Sequence, residues 1–311
     1  MKEASFDVVM AAYNASATIE TAIRSVLGQT RTDFELIVVD DGSTDDTASR
    51  VDQFRSDPRV RLIRQENRGL PAARNAALGV GHGRYVTILD SDDLFMPTYL
   101  ERIGRALEEA PDAGFAFADA WRLDQSSGRF WRQTHMTKQH APRPVPTDPA
   151  ALLPALVTSN FVPVMFTTRR TTLEHVGPFR VGGAEVAEDW ELLLRMVAFG
   201  YRPAVVPAAL AIYRKNMPGG FTMYPVRMLR LSRETLRVFV DEHPASTDVK
   251  TVARARGEKM RAKLEQITRR HPLVNKARRR LRGPASLIRR DPLRRRPPPD
   301  IAAAFPDLAR S

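Results

Sequence analysis

Three aspartates, Asp90, Asp92 and Asp93, fall within four positions, directly after the apolar run Tyr85-Val86-Thr87-Ile88-Leu89. Carboxylates this close repel one another, and a chain keeps them together when a cation lies among them or when water screens them. Hard divalent cations such as Mg2+ and Mn2+ take one or two carboxylates plus substrate phosphates. The D-x-D pair Asp90/Asp92 at a strand end offers such ligands; a solvated acidic turn is the competing reading. A second acidic pair, Asp40-Asp41, opens onto Gly42-Ser43. A third, Glu188-Asp189, follows the glycine-rich Val181-Gly182-Gly183 and starts an apolar helix face made by Leu192, Leu193, Met196 and Val197. Acids at a helix start are stabilised by the helix dipole, and on the residues alone that is the reading of this pair.

The elements that must carry these residues can be read from hydrophobic periodicity. Strands are expected over 6–12, 35–40, 60–65 and 84–90, and helices over 19–27, from a Ser43 or Thr44 cap to about Phe54, over 70–78 and over 97–109. Strands alternating with helices predict an α/β fold with a mostly parallel sheet flanked by helices. Ligands bind beyond the carboxyl ends of such strands, which puts Asp40/Asp41 and Asp90–Asp93 on one ligand-binding edge. Further along, 114–123 reads as a strand, 124–148 as a polar, proline-containing loop, 226–243 as a helix with Met228, Leu229, Leu236 and Phe239 on its apolar face, and 249–270 as a charged helix. This divides the chain into a domain over 1–215, a helical extension over 216–270 and a basic, proline-rich, poorly packed tail over 271–311.

Composition excludes some chemistry. The chain has 311 residues, no cysteine and a formal charge of +12. Disulfides and Cys-ligated zinc are excluded. The six histidines lack metal-ligand spacing; His135 and His140 are expected as surface residues of the polar loop, and contact with an acceptor is the alternative. Residues 269–296 hold twelve Lys or Arg against one acid, Asp291, so the body is nearly neutral. No apolar stretch approaches the ~20 residues of a membrane span, and residues 1–12 do not read as a signal peptide. A cytoplasmic address is expected. Arginine clusters with Leu287, Ile288 and Leu293 among them suit an anionic membrane surface, on its inner face; a solvated disordered tail is the alternative. No nucleic-acid recognition motif accompanies the charge, and no nucleic-acid partner is expected.

With AAYNASATIETAIRSVLGQT (11–30), FELIVVDDGSTDDT (34–47) and NRGLPAARNAALGVGHGRYVTILDSDD (67–93), the chain resembles the inverting glycosyltransferases of family 2, which have the GT-A fold. The resemblance implies that Ala11, Ala12, Tyr13 and Asn14 form the wall for a nucleotide base and that Asp41 accepts a hydrogen bond from the base imide. It places Arg68 and Arg74 toward the nucleotide, with Arg74 equally readable as a structural partner of the acidic loop. It puts Asp90 near the ribose, Asp92 on an Mg2+ or Mn2+ ion, and Asp93 at the donor sugar or the next helix cap. The family's general base maps onto Asp189. Tyr213 and Arg214 match a Tyr-Arg pair that lines the acceptor or diphosphate side, or that simply ends a strand.

The implied reaction is metal-dependent, inverting transfer of one sugar from a nucleoside diphosphate sugar, UDP by default, to a hydroxyl of a glycan or lipid-linked acceptor, in cell-envelope or polysaccharide assembly. A single displacement needs one base, in contrast with the carboxylate pair of glycosidases. The Gln-x-x-Arg-Trp motif of processive synthases is missing, which favours addition of one sugar. A sugar nucleotidyltransferase is the alternative within enzymes, but it would want a glycine-rich basic loop near the N-terminus. A binding module acting through the tail is the alternative outside them, and it would not explain the carboxylates of the sheet edge. Removal of the chain beyond about residue 268 is expected to spare catalysis, since every candidate carboxylate precedes residue 190.

Overall fold

The computed structural model describes residues 5–215, 225–270 and 297–305. Its first half alternates strands and helices: β1 (Phe6–Ala12), α1 (Ile19–Leu27), β2 (Phe34–Asp41), α2 (Thr47–Asp52), β3 (Val60–Gln65), α3 (Leu70–Leu78) and β4 (Tyr85–Ile88). β1 is buried along its whole length, as a central strand covered on both faces must be, whereas β3 is only partly buried at the sheet edge. α1 turns Ile19, Ala22, Ile23 and Val26 inward. α3 buries Ala72, Ala73 and Ala77, small side chains that let it lie close on β1 and β2.

The second half holds β5 (Leu94–Phe95), α4 (Tyr99–Glu109), β6 (Ala113–Asp124), β7 (Arg129–Phe130), α5 (His135–Lys138), α6 (Pro149–Thr158), β8 (Phe166–Arg169), α7 (Arg170–Val176), α8 (Glu188–Ala198) and β9 (Arg202–Lys215). The sheet order is β3-β2-β1-β4-β8-β6-β9-β5, with β7 on β6. β3, β2, β1 and β4 run parallel. β8 is antiparallel to both β4 and β6, and β9 runs parallel to β6. The sheet is thus the mixed, helix-flanked α/β sheet of the GT-A plan. Residues 124–148 are less irregular than expected, because Leu123 pairs with Phe130 in a short hairpin and α5 follows.

Two expectations need correction. α2 begins at Thr47 rather than at a Ser43 or Thr44 cap. Those two residues are drawn elsewhere: the Ser43 hydroxyl accepts from the Asn14 N–H (3.0 Å), and the Thr44 N–H donates to Asn14 Oδ1 (2.8 Å). The chain end is also not uniformly loose. Residues 299–304 form α11, and Ile301 is fully buried among Leu94, Met96, Leu123, Phe130 and Ile212. The Trp121 indole N–H donates to Asp300 (3.2 Å). The basic stretch 271–296 lies outside the described residues.

Helices α9 (Pro225–Glu242) and α10 (Thr247–Arg270) pack back on the first part of the chain, α9 on α8 and α10 on α6. The Thr235 hydroxyl accepts from the Ala187 N–H at 2.9 Å, one residue before α8. His243 meets the buried Glu191 carboxylate of α8 at 2.9 Å. Among the described residues no helix is long and apolar enough to cross a membrane.

Candidate active site

The ends of β1, β2, β3 and β4 converge on one edge, and each delivers part of a site. After β2, Gly42 takes φ +74°, and a Cβ there would stand 2.8 Å from the Asn67 backbone nitrogen; only glycine fits that turn. The turn seats Asp41, which is 3% exposed. Its Oδ1 accepts from Gln65 Nε2 (2.7 Å) and the Arg68 N–H (2.9 Å), and its Oδ2 from the Gly69 N–H (2.8 Å). Asp41 therefore shapes the loop that carries Arg68. A cleft of ≈ 680 Å³ opens here, with Ala11, Ala12, Tyr13, Asp41, Arg68 and Gly69 on its floor and wall. Asn14 is tied to Ser43 and Thr44 at its rim.

Gln29 explains how the next loop is held. Its Nε2 donates to the carbonyls of Ser25 (3.0 Å) and Met96 (2.8 Å), and its Oε1 accepts from the Leu100 N–H (2.9 Å). The end of α1 is thereby stapled to the segment that follows the aspartates. Within that loop, Asp90, Asp92 and Asp93 each place one carboxylate oxygen within 4.8 Å of the others. Burial first, then the Asp90 charge, push Asp92 up to about 6. Burial, then the charges of Asp92 and Asp90, push Asp93 well above the usual carboxylate range. Asp93 is wholly buried; its Oδ1 accepts from the Arg214 N–H (2.8 Å) and its Oδ2 has no hydrogen-bond partner. It does not cap α4, whose N-cap is Thr98. Three hard oxygen donors, an unpartnered buried oxygen and raised carboxylate values fit a divalent cation such as Mg2+ or Mn2+, with Asp92 and Asp90 as the more accessible ligands.

Arg74 answers how the acidic loop is tolerated. It is buried, and its guanidinium donates to Asp90 Oδ1 (2.6 Å) and to Glu188 Oε1 (2.7 Å) across the ring of Phe179. One planar fork thus joins the strand-end aspartates to the acidic start of α8. Of the two readings open in sequence, the geometry is that of the structural partner. Next to Glu188, burial and then the Glu188 charge push Asp189 up to about 7, against the pull of Arg74. A carboxylate poised there suits proton abstraction near neutral pH. Tyr213 is caught between the two acidic groups. Burial, then the charges of Asp93, Asp90, Asp189 and Asp92, hold its hydroxyl well above the usual value.

Sequence reasoning missed the roof of the cleft. Arg180, Val181–Val186 and Glu188, and Arg227 and Leu231 of α9, also line it, and Arg227 is paired with Glu185. The one available signal was the glycine pair Gly182-Gly183, which takes φ +76° and +69°. His135, expected at the surface, is buried instead, with its ring tilted against Tyr213 at 5.5 Å between centroids. The short helix α5, unseen in the polar stretch, turns it inward. His140 is exposed as expected.

The chain is similar to known proteins in sequence and in fold. The succinoglycan biosynthesis protein ExoO of Rhizobium meliloti is 35% identical over 75% of this chain and 66% of its own length. The glycosyltransferase GlyG of Streptococcus pneumoniae is 36% identical over 40% of this chain and 42% of its own. WfgD of Escherichia coli, a UDP-Glc:alpha-D-GlcNAc-diphosphoundecaprenol beta-1,3-glucosyltransferase, is 44% identical over 30% of this chain and 37% of its own length. The chain therefore spans less than two thirds of each of these relatives. Among solved structures, residues 1–349 of Staphylococcus aureus TarS with UDP-GlcNAc superpose with a TM-score of 0.59 at 20% identity, over 88% of this chain and 74% of that one. The mannosyltransferase PcManGT of Pyrobaculum calidifontis, with GDP-Man and Mn2+, gives 0.59 at 18% identity, over 90% and 77%. At such identities the likeness shows the shared fold. Residues 7–177, more than half of the chain, match the family model described as glycosyl transferase family 2, and the chain belongs to that family.

Proposed function

We propose that the chain transfers a single sugar from a nucleoside diphosphate sugar to an acceptor hydroxyl, with inversion and with the help of a divalent cation. The observation that carries this reading is Arg74, whose one guanidinium holds Asp90 beside Glu188 and so sets a cation-binding loop next to a candidate base, at the rim of a ≈ 680 Å³ cleft. The cleft would take the nucleotide. Asp41 spends three acceptor positions on Gln65, Arg68 and Gly69; a carboxylate offers about four, which leaves room for one imide N–H and makes uridine the default base. Ala11–Asn14 would wall the base, Arg68 would border the nucleotide, and Asp90 would lie on the ribose side. Asp93 would back the sugar side of the loop. Asp92 would hold Mg2+ or Mn2+, which when bound offsets the charge of the departing diphosphate. Ionised Asp189 would take the acceptor hydroxyl proton as that oxygen attacks the anomeric carbon.

The names of ExoO and WfgD support a place in polysaccharide or cell-envelope assembly and a glycan or lipid-linked acceptor. A cytoplasmic location, peripheral on the inner membrane face through the basic stretch 269–296, belongs to the same proposal. Salt-sensitive flotation with anionic vesicles tests that part. The core reading is tested by thermal melts with UDP, GDP and ADP, each with Mn2+ and with EDTA. A ligand at one hundred times its Kd adds ~2.7 kcal/mol of stability, so UDP with Mn2+ should raise the melt clearly. Melts indifferent to every nucleotide, or to the metal, refute it.

A further inference from the structure

Arg227, Leu231 and Thr235 of α9 stand four positions apart and so share one helix face. The first two line the cleft. Thr235, one turn further on, is fully buried against the start of α8. That helix begins without a cap of its own, because its N-cap residue is Ala187, which has no side-chain oxygen to offer. In a capping box the side chain of the third helical residue reaches back to the N-cap N–H. Here that residue is Trp190, whose indole N–H donates instead to the Leu156 carbonyl (3.2 Å). The buried Ala187 N–H is taken by the Thr235 hydroxyl at 2.9 Å, 48 residues along the chain. The hydroxyl proton is committed as well, to the Leu231 carbonyl at 2.8 Å, so the oxygen turns a lone pair toward Ala187.

The two residues that follow Ala187 are Glu188, gripped by Arg74 at 2.7 Å, and Asp189, the candidate base. One turn on, the buried Glu191 carboxylate accepts from Arg195 (3.0 Å) and meets His243, just beyond the end of α9, at 2.9 Å. Asp189 therefore stands between two contacts that the helical extension makes with α8, one at Ala187 and one at Glu191. Ahead of it, Gly182 and Gly183 take positive φ, and among the described hydrogen bonds the one to Thr235 alone ties the backbone of residues 181–187 to another helix. Arg74 holds the Glu188 side chain; Thr235 holds the main chain from which Asp189 is hung.

We propose that Thr235 is a positioning residue for Asp189: its hydroxyl fixes the start of α8 and, through it, the place of the carboxylate that receives the acceptor proton. Thr235 has this role only if Asp189 is the base of the proposed function, and the helical extension is then part of the active site rather than an appendage to the first 215 residues. A misplacement of about 1 Å costs on the order of a hundredfold in rate. Loosening the start of α8 therefore falls on turnover, while the nucleotide wall made by Ala11–Asn14 and the Asp41 turn keeps its own hydrogen bonds.

The test uses the full chain and three readouts: hydrolysis of whichever of UDP-glucose, UDP-galactose and UDP-N-acetylglucosamine it turns over fastest, UDP affinity with Mn2+ by calorimetry, and amide exchange over residues 187–191. Thr235→Val nearly keeps the side-chain shape. The Leu231 carbonyl still accepts the backbone N–H at 235 within the helix, so only the Ala187 N–H loses its partner. Turnover should fall by about ten- to a hundredfold, exchange over 187–191 should quicken, UDP affinity should hold, and Thr235→Ser should restore both losses. In an Asp189→Asn background the valine substitution should change turnover by less than about twofold, because residues that act as a unit are not additive. Thr235→Ala serves if the valine variant melts early. Wild-type turnover or unchanged exchange in the valine variant, a loss that serine does not restore, or an equal loss with and without Asp189 overturns the inference. So does UDP affinity that falls in step with turnover, which would place the effect in the cleft through Leu231. Full activity of Asp189→Asn, or no UDP-sugar turnover by the wild type, would strike the transferase reading and its base, and take the role of Thr235 with it; both are measured on chains that keep Thr235, so the two failures are told apart.

Discussion

Replacing Arg74 with methionine removes the guanidinium and keeps most of the side-chain volume. Arg74 is the sole bridge between Asp90 and Glu188 among the described hydrogen bonds and ion pairs, at 2.6 and 2.7 Å, and it is 1% exposed. Breaking a buried ion pair by deleting one partner costs about 3–5 kcal/mol, because the remaining charge is left uncompensated. Two acids lose their partner here, but both keep some access to water, so the lower end of that range applies. At roughly 2–4 °C per kcal/mol for a domain of this size, the melt should fall by roughly 6–12 °C. Lysine at 74 keeps the charge but cannot span both carboxylates with a rigid fork, and should recover only part of the loss. A second effect falls on Asp189. Its value of about 7 already includes the pull of Arg74; without that pull the value must rise further. Catalysis needs the ionised form, so the acid limb of donor turnover should sit near pH 7 in the wild type and move to higher pH in Arg74→Met. Stability runs the other way. The folded chain holds this proton up to about pH 7 while the unfolded chain releases it near 3.8, so this group's contribution to stability declines as pH rises between those values. Differential scanning fluorimetry and a pH–rate profile of UDP-sugar hydrolysis provide the measurements. An Arg74→Met variant that melts with the wild type and keeps its acid limb would refute the account of Arg74.

Asp92→Asn should fold normally and lose metal-dependent UDP affinity by calorimetry, while binding of UDP in EDTA stays unchanged; full retention of the Mn2+ effect would remove Asp92 from the cation. Asp189→Asn should leave UDP affinity nearly intact and lower turnover by about 10²–10⁴, with Glu188→Gln milder; the reverse ranking would exchange their roles. Ile301→Asp should undock α11 and uncover Leu94, Met96, Leu123, Phe130 and Ile212, raising hydrogen exchange at Leu94–Met96 and lowering stability by at least the roughly 1.5–3 kcal/mol of one buried isoleucine. Unchanged exchange would show that α11 does not cover this patch. The same contact revises the expected effect of ending the chain near residue 268, since that cut also removes α11 from the patch next to the acidic loop.

The sheet edge was legible because its parts announce themselves locally. β1 and β2 are short apolar runs that end in turn residues, and a parallel sheet forces such ends to one side. α3 ran over Leu70–Leu78 as its alanine spacing implied. What periodicity reports is that a face is buried, and it is silent on the partner that buries it. The apolar stripe of α9 gave its existence, but not that Arg227 and Leu231 would reach the cleft. His135 looked exposed because its neighbours are polar, and a four-residue helix is too short to leave a periodic trace. Ile301 is one apolar residue in an arginine- and proline-rich context, and its burial depends on a patch some two hundred positions earlier in the chain. Each miss is a long-range contact whose sequence signal is a single residue.

The acidic loop itself shows how far the protein goes in neutralising its own charge. Arg74 takes Asp90 at 2.6 Å, and the Arg214 backbone N–H takes one oxygen of Asp93 at 2.8 Å. Both contacts fix geometry, since a planar fork and a backbone amide hold direction as well as charge. Neither reaches Asp92, whose carboxyl stands near 6 between a buried setting and the Asp90 charge. Had the cluster been structural alone, full pairing would have been the stable solution, because an unmatched buried carboxylate costs several kcal/mol. A loop that is pinned on both sides and left acidic in the middle suits the divalent cation of the proposed function, which it could receive with little reorganisation.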